Sequence, residues 1–283
     1  MLGQALVTGI LIGGIYALMA SGLSMIFGVM GIANAAHASF AVLSAYIVYW
    51  LYVGYGLNPF LGMLLSALLL FLIGIILYKF MVSKVSELMA FTLLYMTAMF
   101  LESTMVFLWT NLYRQITIES LSGSIEIGGI YIPLDRLVAF LIAVGTISII
   151  AYILKYTYFG KAIRATMQNP DAAALMGINV KFIYLATFGL GIGLAGIAGV
   201  MLGIIYPFYP TLASTWIGLL FAIVVFGGLG SLVGTFTAAI IIGIAASLVG
   251  TYASSSWAPM VAFLVLIITL WVKPSGLFGR LLK

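Results

Sequence analysis

The 283 residues are 65% hydrophobic and 6% charged, with a mean hydropathy of +1.29, far more apolar side chain than a water-soluble domain requires; a soluble enzyme is excluded and the solvent is a bilayer. No Cys and a single His rule out a disulfide framework and a zinc site of three or four N/S ligands. The formal +5 comes from 11 bases and 6 acids spread over separate short segments, which makes it an orientation signal and not a nucleic-acid face.

From Met1 to Tyr78 there is no Lys, Arg, Asp or Glu, and apolar segments at about 3–27, 39–54 and 60–78 fill that stretch. The first is too long and Gly-rich for a cleaved signal peptide and lacks a positive n-region, so it is expected to stay in the mature protein. Its Gly9, Gly13, Ala17, Ser21, Ser24 and Gly28 recur at three- and four-residue steps and line one helix face. Small residues of this kind let helices approach closely in lipid, and they also suit a smooth wall beside a translocation path. The stretch Gly28–His37 joins two apolar spans without a charge, which predicts a discontinuous helix whose freed backbone groups are hydrogen-bonded by Asn34 and His37, the alternative being a gate or cargo contact. One His without a chain of ionisable neighbours is a poor proton relay.

Lys79 and Lys84 close the third span, and a fourth at about 88–110 carries Glu102, the one acid within a span. The segment 111–136, with Glu119, Glu126 and Asp135, is read as an external loop holding a small hairpin: alternating Ser124–Ile127 and Tyr131–Pro133 flank Gly128-Gly129. A fifth span at about 137–154 leads into 156–179. There, Phe159–Met167 reads as a helix, and a second short one opens with Asn169 as N-cap and Pro170 at the first helical position. Asp171 complements its dipole, Gly177 supplies the left-handed stop, and Ala174, Leu175 and Met176 are apolar groups that suit a docking element for a soluble partner. Four more spans follow at about 182–205, 213–228, 232–250 and 257–272. Gly189, Gly193, Gly196, Gly199 and Gly203 line the first of them, and Gly227, Gly228 and Gly230 break the region 213–250, which is read as two spans or as a re-entrant hairpin.

Placing Lys79, Lys84, Lys155, Lys161, Arg164, Lys181, Lys273, Arg280 and Lys283 on one side puts nine of the 11 bases there; the positive-inside bias makes that side cytoplasmic and the amino terminus external. The expected fold class is all-α: a polytopic membrane helix bundle of about eight or nine spans with Gly-broken helices, a short external hairpin and cytoplasmic coupling helices. Residues 1–283 are read as one transmembrane domain.

Several segments carry a family resemblance. Asp171-Ala172-Ala173, three residues and Gly177 resemble the Glu-Ala-Ala-x-x-x-Gly core by which permeases of bacterial ATP-binding-cassette importers dock on their ATPases, with Asp for Glu. Where that pattern continues with Ile-x-Leu-Pro, this chain has Thr187, Phe188, Gly189 and Leu190. Gly22-Leu23 through Phe27-Gly28-Val29, followed by Asn34-Ala35-Ala36-His37, is similar to a segment of the branched-chain amino-acid importer permeases, with Ala38 in place of a family glycine. Leu43–Tyr46, Phe226–Ser231 and the terminal Lys273–Gly279 add to that likeness, which points to the shorter of the two permease paralogues.

The resemblance implies a permease subunit, not an enzyme and without a cofactor, in a bacterial or archaeal plasma (inner) membrane. It would serve an ATP-driven, binding-protein-dependent importer of branched-chain amino acids, beside two ATPase subunits, a second permease and an extracytoplasmic solute-binding protein. No Gly-x-x-x-x-Gly-Lys-Ser/Thr occurs, since Gly160-Lys161 is followed by Ala162, so the nucleotide chemistry would come from another chain. Gly160, Arg164, Asn169, Asp171, Ala172, Ala173, Leu175, Met176 and Gly177 are the ATPase-coupling candidates. Asn34, His37, Gly193, Gly196, Gly199, Gly227, Gly228 and Gly230 are the candidates for helix break or path. Relatives that import urea or short amides share these motifs. On the residues alone, an ion-coupled carrier, a channel or a membrane scaffold are the other classes, the first disfavoured by the shortage of embedded acids.

Overall fold

A computed structural model describes residues 1–279; Arg280 and Lys283, assigned above to the basic side, lie outside the described residues. The apolar segments become helices α1 (Leu2–Met30), α2 (His37–Tyr55), α3 (Pro59–Phe80), α4 (Glu87–Trp109), α5 (Leu134–Tyr156), α8 (Val180–Ile205), α9 (Leu212–Gly227), α10 (Leu232–Tyr252) and α11 (Ala258–Val272). Between α5 and α8 lie the short α6 (Tyr158–Gln168) and α7 (Pro170–Leu175). Strands β1 (Ser124–Ile127) and β2 (Ile130–Pro133) pair antiparallel, Ile127 opposite Ile130, about Gly128 (φ 60°) and Gly129 (φ 78°). Both turn residues need positive φ, which glycine adopts without a Cβ clash.

Small residues decide which helices reach the centre. α8 and α1 are buried over most of their length, whereas α4 and α5 are largely exposed and read as lipid-facing. Along α3, Gly62, Ser66, Leu70, Gly74 and Tyr78 are buried at four-residue steps, and this stripe packs antiparallel on α8. A β-carbon at Gly74 would stand 2.9 Å from Gly189 Cα, so the two backbones touch. α10 runs antiparallel along α1 in the same manner: Gly13 faces Ile240 near one end and Gly28 faces Gly230 near the other. Inside this contact the Thr235 hydroxyl donates to Ser24 Oγ (3.0 Å), and elsewhere Ser44 Oγ donates to the Gly196 carbonyl (2.9 Å), so these buried hydroxyls are paired across helices.

Connectivity fixes the number of traversals. Seven helices are long and apolar enough to cross a membrane; α9 and α11, at 16 and 15 residues, are shorter. At 1.5 Å per residue they measure about 22–24 Å against a hydrocarbon core of about 30 Å. However, the end of α8 lies beside Gln115, whose amide donates to the Ile204 carbonyl (3.1 Å) at the hairpin end of the bundle. The α9–α10 turn packs on Gly28 at the opposite end, so α9 must traverse. α10 returns, and Leu277 N–H, after α11, bonds the Phe226 carbonyl (2.8 Å) at the turn end, so α11 traverses too. The region 213–250 is therefore two antiparallel spans, not a re-entrant hairpin.

The loop before the hairpin is less exposed than expected. Arg114 and Phe208 exchange backbone hydrogen bonds (2.9 and 2.7 Å), the Ile116 N–H reaches the Gly203 carbonyl (3.0 Å), and Ile116 and Phe208 are fully buried. Phe208 meets the Tyr46 ring edge-on at 4.9 Å, and Tyr46 stacks on Trp109 at 4.6 Å. This inward dip of 206–211 takes up depth that α9 would otherwise fill, which accounts for its shortness.

Candidate functional site

At the end of the bundle that carries Lys155, Lys161 and Lys181, α6 and α7 form a short bracket between α5 and α8. Thr157 caps α6 by accepting the Gly160 N–H (3.1 Å), and Asn169 caps α7 by accepting the Ala172 N–H (3.0 Å), with Pro170 next. Gly177 ends α7 at φ 84°, its N–H bonding the Ala174 carbonyl (3.0 Å) while Ile178 N–H bonds the Ala173 carbonyl (3.0 Å). These bonds close carbonyls that a helix end leaves open, in a conformation a side chain would strain. Of the six residues of α7 only Ala173 is buried; Leu175 is 89% and the following Met176 84% exposed, and Asp171 and Ala172 are exposed as well. The helix is thus capped at both ends and presents Leu175 and Met176 as a small apolar knob at its exposed end.

Gly160 and Arg164 stand apart from that knob. Gly160 is buried where α6 crosses the end of α5, with the Ile153 and Leu154 carbonyls filling the place of a side chain. Arg164 Nη1 donates to the Leu154 carbonyl (2.6 Å), so its positive charge sits on the carbonyl end of α5. Both residues bind α6 to α5, while Asn169 through Gly177 build the exposed face.

The second candidate set lies deeper. α1 stops at Gly31 (φ 70°), and 32–36 lead back into the bundle, where α2 begins. His37 Nε2 is 2.9 Å from the Met19 carbonyl, and Asn34 Oδ1 accepts the Ala36 N–H (3.1 Å); both residues are fully buried. Met19 lies 11 residues before the end of α1, about 16 Å along its axis, so α2 starts well inside the membrane-spanning length. Asn34 thus bonds backbone freed at the break, as expected, whereas His37 bonds a carbonyl within the unbroken α1 and ties the start of α2 to it. Gly193, Gly196 and Gly199 are buried in α8: Gly193 and Gly196 against Ala67 of α3, Gly199 against Ala41 of α2. Gly228 (φ 97°) and Gly230 (φ 79°), with Gly227, form the α9–α10 turn, which the segment after α11 covers through Phe278 N–H to the Gly227 carbonyl (3.1 Å).

Two residues of this architecture were missed in the sequence. Arg114 lies between Tyr49 and Trp50, its guanidinium carbon 5.3 and 5.0 Å from the ring centroids, in a cation–π seat at the hairpin end. Met167 reaches the Gly28–Gly230 contact. Neither has a local signal, because both partners come from distant parts of the chain. The α3 stripe was missed as well, although Gly62, Ser66 and Gly74 at multiples of four carry a local signal for it.

A family model described as branched-chain amino acid transport system / permease component matches residues 5–270. Among curated proteins, the chain is 27% identical over 310 residues to the high-affinity branched-chain amino acid transport system permease protein LivH of Salmonella typhimurium, covering 98% of this chain and 95% of that protein. The Escherichia coli K12 LivH gives the same identity and coverage. A probable LivH of Methanocaldococcus jannaschii is 26% identical over 278 residues, covering 93% and 88%. Among solved structures, PsaBC from Streptococcus pneumoniae in complex with Fab contains a chain that shares the fold, with a TM-score of 0.51, 17% identity, and coverage of 96% of this chain and 92% of that one.

Proposed function

The chain belongs to the family of branched-chain amino acid transport permease components, and on that premise we propose that this multi-pass membrane protein is the translocating subunit of an ATP-driven, binding-protein-dependent importer of branched-chain amino acids. Two ATPase subunits would seat on α7, a second permease would stand beside this one in the plasma membrane, and a solute-binding protein would deliver cargo at the hairpin end. The observation that carries the reading is α7 itself: six residues, capped at both ends, with Leu175 and Met176 offered to solvent at the basic end of the bundle. Without a phosphate-binding loop in the sequence, chemical energy enters from outside the chain. Closure of the ATPases would push α7, and the helices joined to it would shift between two packings. Asn169, Asp171, Ala172, Ala173, Leu175, Met176 and Gly177 then form the docking knob. Gly160 and Arg164 secure it to α5, and the breaks at Asn34–His37 and Gly227–Gly230 act as joints.

Reconstituted with its ATPases and binding protein in vesicles, the complex should accumulate leucine, isoleucine or valine only when ATP and binding protein are both supplied. Accumulation driven by a proton or Na⁺ gradient with no ATP present would overturn the reading in favour of an ion-coupled carrier.

A further inference from the structure

The coupling segment is joined to α8 on one side, but only Ala173 of α7 is buried, and a second route into the membrane runs through α6. Load on Leu175 and Met176 passes back through Asn169 into α6. There Ile163 and Thr166 are buried and Met167, 38% exposed, points to the edge of the bundle. Its methyl carbon rests over two facing glycines: β-carbons built at Gly28 and at Gly230 would each stand 3.1 Å from Met167 Cε. Gly28 lies two residues before the end of α1 and the start of the break toward α2, and Gly230 lies in the α9–α10 turn. That turn is held from its other side by the Leu277 and Phe278 backbone bonds to Phe226 and Gly227 (2.8 and 3.1 Å). With no side chain on either glycine to yield, a push on the thioether tip acts directly on two backbones that touch.

We propose that Met167 is the positioning residue that carries motion of the docked segment into the joint between α1 and α10. This rests on the reading of α7 as the ATPase seat. An unbranched chain of this length suits the task, since it reaches past α6 and adapts to both packings of the joint. Coupling then passes through one identifiable contact between two elements that each lead to a helix break.

The test uses the full complex in vesicles and reads amino acid taken up per ATP hydrolysed, alongside assembly of the ATPases on the permease. Met167→Ala should lower that ratio about fivefold, the lower end of coupling between sites, while assembly stays intact. Met167→Leu, which restores apolar reach, should recover most of it. A purely structural role would lower assembly, hydrolysis and uptake together and leave the ratio unchanged. An unchanged ratio for Met167→Ala in an ATP-dependent wild type overturns this proposal and spares the ATPase reading; a wild type without ATP-dependent uptake overturns both. If Met167→Ala does not assemble, Met167→Val, shorter but still bulky, is read on the same ratio with the same two outcomes.

Discussion

Gly199 leaves space for a hydrogen only: a β-carbon there would enter the Ala41 carbonyl of α2, and Ala41 Cα would be 2.7 Å away. Gly145 on exposed α5 has nothing within 4 Å of the same position. Overpacking a close helix contact costs about 1–3 kcal/mol, whereas an added methyl on an open helix face is close to neutral. Gly199→Val should therefore lower the thermal midpoint of the detergent-solubilised protein well below wild type while Gly145→Ala leaves it in place; equal shifts would mean that the α2–α8 contact is looser than the backbones imply. His37 raises a different matter, a buried hydrogen bond to Met19 worth about 1 kcal/mol. His37→Gln retains a donor, and His37→Leu removes it. Uptake should survive the first substitution better than the second, and equal loss in both would point to a role that depends on the imidazole.

The same contrast appears in α7, which has few tertiary contacts to hold it. Asn169→Ala deletes a cap worth about 1 kcal/mol, enough in a six-residue helix to raise amide hydrogen exchange over 171–176 about fivefold. Gly177→Ala places a β-carbon at φ 84°, at a cost of about 1–2 kcal/mol, and should have a like effect. Exchange as slow as wild type in both variants would show that the helix is held by something other than its caps. Such local chemistry was legible in advance: Asn169, Pro170 and Gly177 mark the ends of α7, and Gly128-Gly129 mark the hairpin turn, because each acts within a few residues. What was not legible needed partners distant in the chain. Arg164 closing the end of α5, Arg114 pairing with Phe208, and Met167 over Gly28 and Gly230 have no sequence period that announces them. The shortness of α9 was legible, since 213–228 already reads as a span of that length; the burial of the Phe208 segment before it was not.

At the scale of the whole molecule, the two ends of the bundle differ in kind. One end holds the hairpin, tied to α1 by Gln4, whose Nε2 donates to the Tyr131 carbonyl (2.6 Å) and whose Oε1 accepts the Tyr131 N–H (2.9 Å). The other holds α6, α7 and the α9–α10 turn, together with most of the described Lys side chains. A bias of this sign predicts that the basic end is cytoplasmic, with the start of α1 and the end of α11 on opposite sides after nine traversals. The absence of native Cys makes the arrangement directly testable, because a single introduced thiol is the only label site. Tyr131→Cys, at a position 54% exposed on the hairpin, should react with a membrane-impermeant maleimide in intact cells; Tyr158→Cys, at a position 91% exposed at the start of α6, should react only once the membrane is opened. Labelling of both in intact cells would break the nine-traversal topology, and the reverse pattern would invert it. Either result would also remove α7 from reach of a cytoplasmic ATPase, so orientation is the property on which the transport mechanism depends most directly.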